Sequence, residues 1–92
     1  SQGKQRKRAI ASYTEVVRIS PEDALGWNLL AQSYRLDGQP ERALQIVNRA
    51  LNVNRETPST WILLAEIYGD AGRFDEARVE LDRQVAIRRG GK

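Results

Sequence analysis

The stretch WNLLAQSY at residues 27–34 returns as WILLAEIY at residues 61–68. Over an offset of 34, Trp27 falls on Trp61, Leu30 on Leu64, Ala31 on Ala65 and Tyr34 on Tyr68. Working outward, the same offset places Gly38 on Gly72 and Ala43 on Ala77, and sets Val47, Leu51 and Val53 against Leu81, Val85 and Ile87. Backwards, Ala9, Tyr13, Val17 and Ile19 hold the places of Ala43, Val47, Leu51 and Val53. A fixed period of this length marks a stack of similar supersecondary units.

Each unit reads as two helices joined by a tight turn. Trp27, Leu30, Ala31 and Tyr34 stand at i, i+3, i+4 and i+7, one apolar stripe of a helix, and Trp61, Leu64, Ala65 and Tyr68 repeat it. Leu25, Leu29, Leu36, Ile62, Leu63 and Ile67 widen these faces beyond one stripe. A face that broad predicts contact with more than one neighbouring helix. The second helix is narrower: Ala43, Val47, Ala50, Leu51 and Val53 share one face, with Arg42, Gln45, Asn48, Arg49 and Asn52 turned to water. Ser20-Pro21-Glu22-Asp23 predicts an N-cap, a first-turn proline and acids favoured by the helix dipole, and Thr57-Pro58 repeats the device. Gly38 and Gly72 end the first helices. Pro40 starts the next helix at once, which forces an antiparallel hairpin. The expectation is all-α, five helices near 5–19, 22–37, 40–54, 58–71 and 73–89, stacked as an α-solenoid.

Composition narrows the chemistry. The 92 residues make one domain at most, or a piece of a larger one, and no run of 18 apolar residues suggests a membrane span. The absence of Cys and His excludes disulfides, thiolate and imidazole chemistry and the commonest zinc sites. The net charge of +3 is unevenly spread. Residues 1–8 hold four cations and residues 83–92 another four, including Arg88 and Lys92, with no acid in either run. Residues 9–82 carry seven arginines against twelve acids, a net −5. No aromatic interleaves the basic runs, so they read as solvated helix ends and no nucleic-acid partner is expected. Gly90-Gly91 reads as a frayed tail.

Trp-x2-Leu-Ala-x2-Tyr followed by Ala-x3-Val/Leu on a 34-residue period resembles the tetratricopeptide repeat. Within a single domain over 1–92, residues 24–57 resemble one full repeat, 58–91 a second, and 5–23 the second helix and exit turn of a preceding one. Arg55 and Arg89 stand where the family usually ends a repeat with proline, and Gln84 where it usually has a small residue such as Ala50. The resemblance implies a right-handed superhelix whose first helices line a concave groove holding a peptide or helix of a partner protein. In that frame Trp27, Leu30, Ala31, Tyr34, Ala43, Trp61, Leu64, Ala65, Tyr68 and Ala77 are structural core. Tyr13 joins them, and Phe74 is expected to fill the gap between turns.

Candidate groove residues lie beside the apolar stripe: Asn28, Gln32 and Arg35 on one helix, Ile62, Glu66 and Asp70 on the next. Some members of the family clamp a terminal carboxylate with Lys, Asn and Arg. Here Ser59 and Leu63 occupy the later cationic positions, whereas Glu66 and Asp70 make an acidic wall that suits a basic or mixed-charge segment. Neither Asp75 with Glu76 nor Glu80 with Asp82 aims two carboxylates at one substrate, and no phosphate loop, calcium spacing or metal-ligand cluster occurs. No enzyme, cofactor or metal is therefore expected. The reading is an interaction scaffold. Its alternatives are a structural spacer, a self-association module, or an accessory domain positioning a neighbouring catalytic one. Ile10, Val16 and Val17 at one end, and Val79, Val85 and Ile87 at the other, are expected to be uncovered and to favour homo-oligomers.

Overall fold

A computed structural model describes residues 2–90; Ser1, Gly91, Lys92 and the side chain of Arg88 lie outside the described part. Five helices follow one another: α1 Gln2–Ile19, α2 Ala24–Leu36, α3 Pro40–Val53, α4 Pro58–Asp70 and α5 Phe74–Arg88, with no strand among the described residues. Packing runs between sequence neighbours, α1 on α2, α2 on α3, α3 on α4 and α4 on α5; α2 also touches α4. The result is an all-α solenoid of antiparallel hairpins, elongated to 42 × 29 × 17 Å. No described helix is long and apolar enough to cross a membrane.

The turns explain the hairpins. Gly38 and Gly72 take φ of 76° and 77°, the left-handed region that side chains with a Cβ disfavour. Gly38 N donates to Arg35 O and Gln39 N to Tyr34 O; Gly72 N donates to Gly69 O and Arg73 N to Tyr68 O. Both first helices thus end in the same Schellman closure. Arg73 then grips Glu76 through two hydrogen bonds of 2.7 Å, which holds the Glu76 carboxyl below its usual range. At the earlier turn Gln39 donates to Asp37 at 2.7 Å and Arg6 of α1 at 3.3 Å, and together they lower the Asp37 pKa. On α1, Arg18 hydrogen-bonds Glu15 and lowers its pKa in turn.

The start of α2 differs from expectation. Its N-cap is Asp23, whose side chain accepts from Leu25 N, and Ser20 instead closes a turn by accepting from Asp23 N at 3.2 Å. Pro21 therefore sits in the turn before the helix. At the same register of the next unit, Thr57 is the N-cap of α4 and Pro58 its first residue, although the Thr57 side chain makes no capping bond. Between the units, Trp27 Nε1 donates to Pro21 O and Trp61 Nε1 to Arg55 O, each at 2.7 Å. Each indole ties its helix to the turn that precedes it. Arg55 does so through its carbonyl, so the missing proline leaves this contact intact.

The core is centred on α3 and α4: Ala31, Ala43, Val47, Leu51, Trp61, Leu63, Leu64 and Ile67 form one cluster, with Tyr34 and Tyr68 packed on it. Ala65 and Ala77 are also buried, as is Leu30. Trp27 is half-buried and outside that cluster, with Arg49 stacked 5.6 Å from its ring. Three further expectations give way. Phe74 is 69% exposed; it opens α5 at the outer end of the hairpin and fills no gap. Leu25, Leu29 and Leu36 are exposed, because among the described residues no helix covers that side of α2; Leu63, at the register of Leu29, is buried against α2. Val17 is buried beneath α2, where Gly26 leaves room: a Cβ there would lie 3.3 Å from Val17 Cγ1 and 3.2 Å from Val16 Cγ1. Val16 and Ile19 remain exposed and Ile10 is half-buried. On α5, Val79, Val85 and Ile87 are exposed, as is Leu81, whereas Gln84 is buried with Nε2 unpartnered.

Candidate functional site, the groove between α2 and α4

Each of these two helices is antiparallel to α3, so they run in the same direction, and they touch. Packed helix axes lie about 8–10 Å apart, which leaves a shallow furrow on the side away from α3 and α5. Leu25, Asn28, Leu29 and Gln32 of α2 face Ser59, Ile62, Leu63 and Glu66 of α4 across a furrow of about 340 Å³. Its apolar lining, the floor, is Leu25, Leu29, Ile62 and the buried Leu63, and its polar lining, the rim, is Asn28, Gln32, Ser59 and Glu66. At the N-terminal ends of both helices it runs into a second hollow of about 480 Å³, which shares Leu25, Asn28 and Ser59 and adds Glu22, Asp23, Asn54 and Thr57.

The side chains on the rim divide into engaged and free groups. Asn28 Nδ2 donates to Thr60 Oγ1 at 2.8 Å, bridging the two helices, while its Oδ1 is buried without a partner. Thr60 is wholly buried, so this bridge ties the rim to the core. At the other end Arg35 Nε meets Asp70 Oδ2 at 2.7 Å, and Arg35 also donates to Gln32 Oε1 at 3.4 Å. This pair crosses from α2 to α4 and neutralises itself. Glu66 is exposed, and no ion pair among the described residues engages Glu66, Glu22 or Asp23.

Of the candidates from sequence, Asn28, Gln32, Ile62 and Glu66 line the furrow together, and Arg35 and Asp70 close its end as an ion pair instead of lining it. The sequence reading missed Leu25 and Leu29 as floor and Glu22 and Asp23 as part of the entrance. The signal was present: Leu25 and Leu29 lie one turn apart and off the main stripe, which reads equally as burial against a further helix. The pairing of Arg35 with Asp70 depends on how α2 and α4 are juxtaposed, and spacing within one helix does not carry it.

Comparison with known proteins agrees with the architecture. The family model described as "Anaphase-promoting complex, cyclosome, subunit 3" matches residues 3–84. Tetratricopeptide repeat-containing protein trd-1 of Caenorhabditis elegans is 27% identical over 85 residues, covering 92% of this chain and 11% of that protein. Superkiller protein 3 of Schizosaccharomyces pombe is 30% identical over 84 residues, 88% of this chain and 6% of its own length. Tetratricopeptide repeat protein 36 of Caenorhabditis elegans is 34% identical over 53 residues, 58% of this chain and 30% of its own. The chain thus spans 11% of the first relative's length and 6% of the second's.

Proposed function

The chain belongs to the tetratricopeptide repeat family, and from that premise we propose that it is a binding module, non-catalytic in itself, that seats a segment of a partner protein in the furrow between α2 and α4. In this reading residues 24–57 and 58–91 act as two repeats and 5–23 as the second half of another. The observation that carries the proposal is the continuity of an uncovered apolar floor, Leu25 and Leu29 beside Ile62, with unengaged polar groups on its rim. A solvated surface has no need of such a strip, and exposed contiguous apolar area often marks a contact site. The furrow is preformed by packed helices, so binding orders little of the module and the partner supplies most of the entropic cost. Asn28, Gln32, Ile62 and Glu66 are the contact residues, and Arg35 with Asp70 fixes the spacing of the two helices.

Peptide display against the wild-type chain, with counter-selection on Ile62→Glu, tests this. Recovered segments are expected to lose binding to the variant. Segments that bind both chains equally would place the contact elsewhere.

One observation favours self-association as a second reading. Leu81 and Val85 are 49% and 48% exposed, whereas Val47 and Leu51, at the same register of α3, are 0% and 5% exposed beneath α4. Light scattering that shows only a 10.4 kDa monomer at high micromolar concentration would exclude it for this chain.

A further inference from the structure

Resting on the groove reading above, we infer the chemistry of the occupant: an extended segment with a basic side chain, an apolar one two residues on, and a second basic one two residues beyond that. Three observations lead there. First, the groove carries unpaired acids in a chain that is basic overall. Glu66 in the furrow and Glu22 and Asp23 in the adjoining hollow make no ion pair among the described residues, whereas Asp70 beyond the furrow is spent on Arg35. Asp23 gives one carboxylate oxygen to the cap of α2 and keeps the other. A cation entering a partly desolvated furrow gains from those charges, and an acidic segment is repelled.

Second, the free acids stand at two levels with the apolar floor between them. Glu22 and Asp23 precede α2 at the height where Thr57 and Pro58 begin α4, and Glu66 lies eight residues along α4 from Pro58. That is about 12 Å of helix axis at 1.5 Å per residue. Leu25, Leu29 and Ile62 fill the interval.

Third, the interval sets the spacing of an extended occupant. An extended chain rises about 3.3 Å per residue and presents alternate side chains to one face. Four residues therefore bridge the two acidic levels. Positions i and i+4 meet the acids, and i+2 meets the leucines and Ile62.

A titration of the 15N-labelled chain with the peptide Ser-Arg-Ser-Leu-Ser-Arg-Ser tests the inference. The expected result is saturable shifts at the amides of Ser59, Ile62 and Glu66, weakening as salt rises. Glu66→Lys, at an exposed position and with its fold checked by circular dichroism, should weaken binding at least tenfold. Replacing the second arginine of the peptide by glutamate should restore binding to that variant and not to wild type. If a peptide with glutamate at both positions shifts the same amides as strongly, the groove is a binding site and the basic specificity is overturned. If the basic peptide causes no shift there at millimolar concentration, the inference also fails, and segments from the display experiment then decide whether the groove reading survives without it.

Discussion

Trp27 and Trp61 occupy one register position and make the same bond to the turn before their helix, yet Trp61 is 7% exposed and Trp27 only half-buried. The difference lies in what stands across from each. Facing Trp61, α3 places Val47 and Leu51 in the core cluster, and Arg83 and Arg55 lie 4.9 and 5.3 Å from the ring. Facing Trp27, α1 offers Val17 as its one buried residue, and among the described residues Arg49 alone stacks on the ring. Trp61→Ala is therefore expected to cost about 3–5 kcal/mol. Trp27→Ala should cost clearly less, and urea denaturation of the two variants would show it. Equal losses would mean that both indoles do the same structural work. The sequence showed where the indoles sit. It did not show their burial, because that is set by neighbours on other helices, and a period treats every unit as if its neighbours were alike.

Helices α3 and α5 make the same point over a longer stretch. They share a pattern, but α3 lies between α2 and α4 while, among the described residues, α5 packs on α4 alone. Leu51→Ala is expected to cost about 2–5 kcal/mol, as buried leucines do. Leu81→Ala, on the uncovered face of α5, should stay within about 0.5 kcal/mol. Thermal denaturation of the pair measures this, and a large loss at Leu81 would show that α5 is covered in solution. The helices themselves were legible from the stripe at Trp27 to Tyr34 and from the glycine at each turn. Less legible was where α2 begins, because Ser20 and Asp23 are both good caps and only the turn closed by Ser20 O decides between them. The turn between α2 and α3 also carries a pH dependence. The Asp37 carboxyl is held below its ordinary range by Gln39 first and Arg6 second, and Glu76 and Glu15 are lowered by their arginines. A carboxylate lowered in the folded state contributes its stabilisation fully above its unfolded pKa, near 4, and loses it as pH falls through the folded value. The melting temperature is expected to be flat from pH 7 to about 5 and to fall below about 4, with a smaller fall in Asp37→Asn. An undiminished acid loss in that variant would remove Asp37 from the account.

The assembled chain separates its charges: cations at the two ends and, at the groove, Glu22, Asp23 and Glu66 without an ion pair among the described residues, while Asp70 beyond it pairs with Arg35. The acidic wall was readable from Glu66 and Asp70, since both lie on one face of α4. That Asp70 is neutralised and that Glu22 and Asp23 take its place at the other end follows only once the helices are stacked. All of this converges on one claim, that α2 and α4 together hold a partner segment. Paramagnetic relaxation enhancement from a spin label on a display-selected segment tests it most directly. The account predicts that signals of Leu25, Leu29, Ile62 and Glu66 broaden together while Gln45, Asn52 and Arg78 stay sharp; broadening confined to the outer faces of α3 and α5 would contradict it.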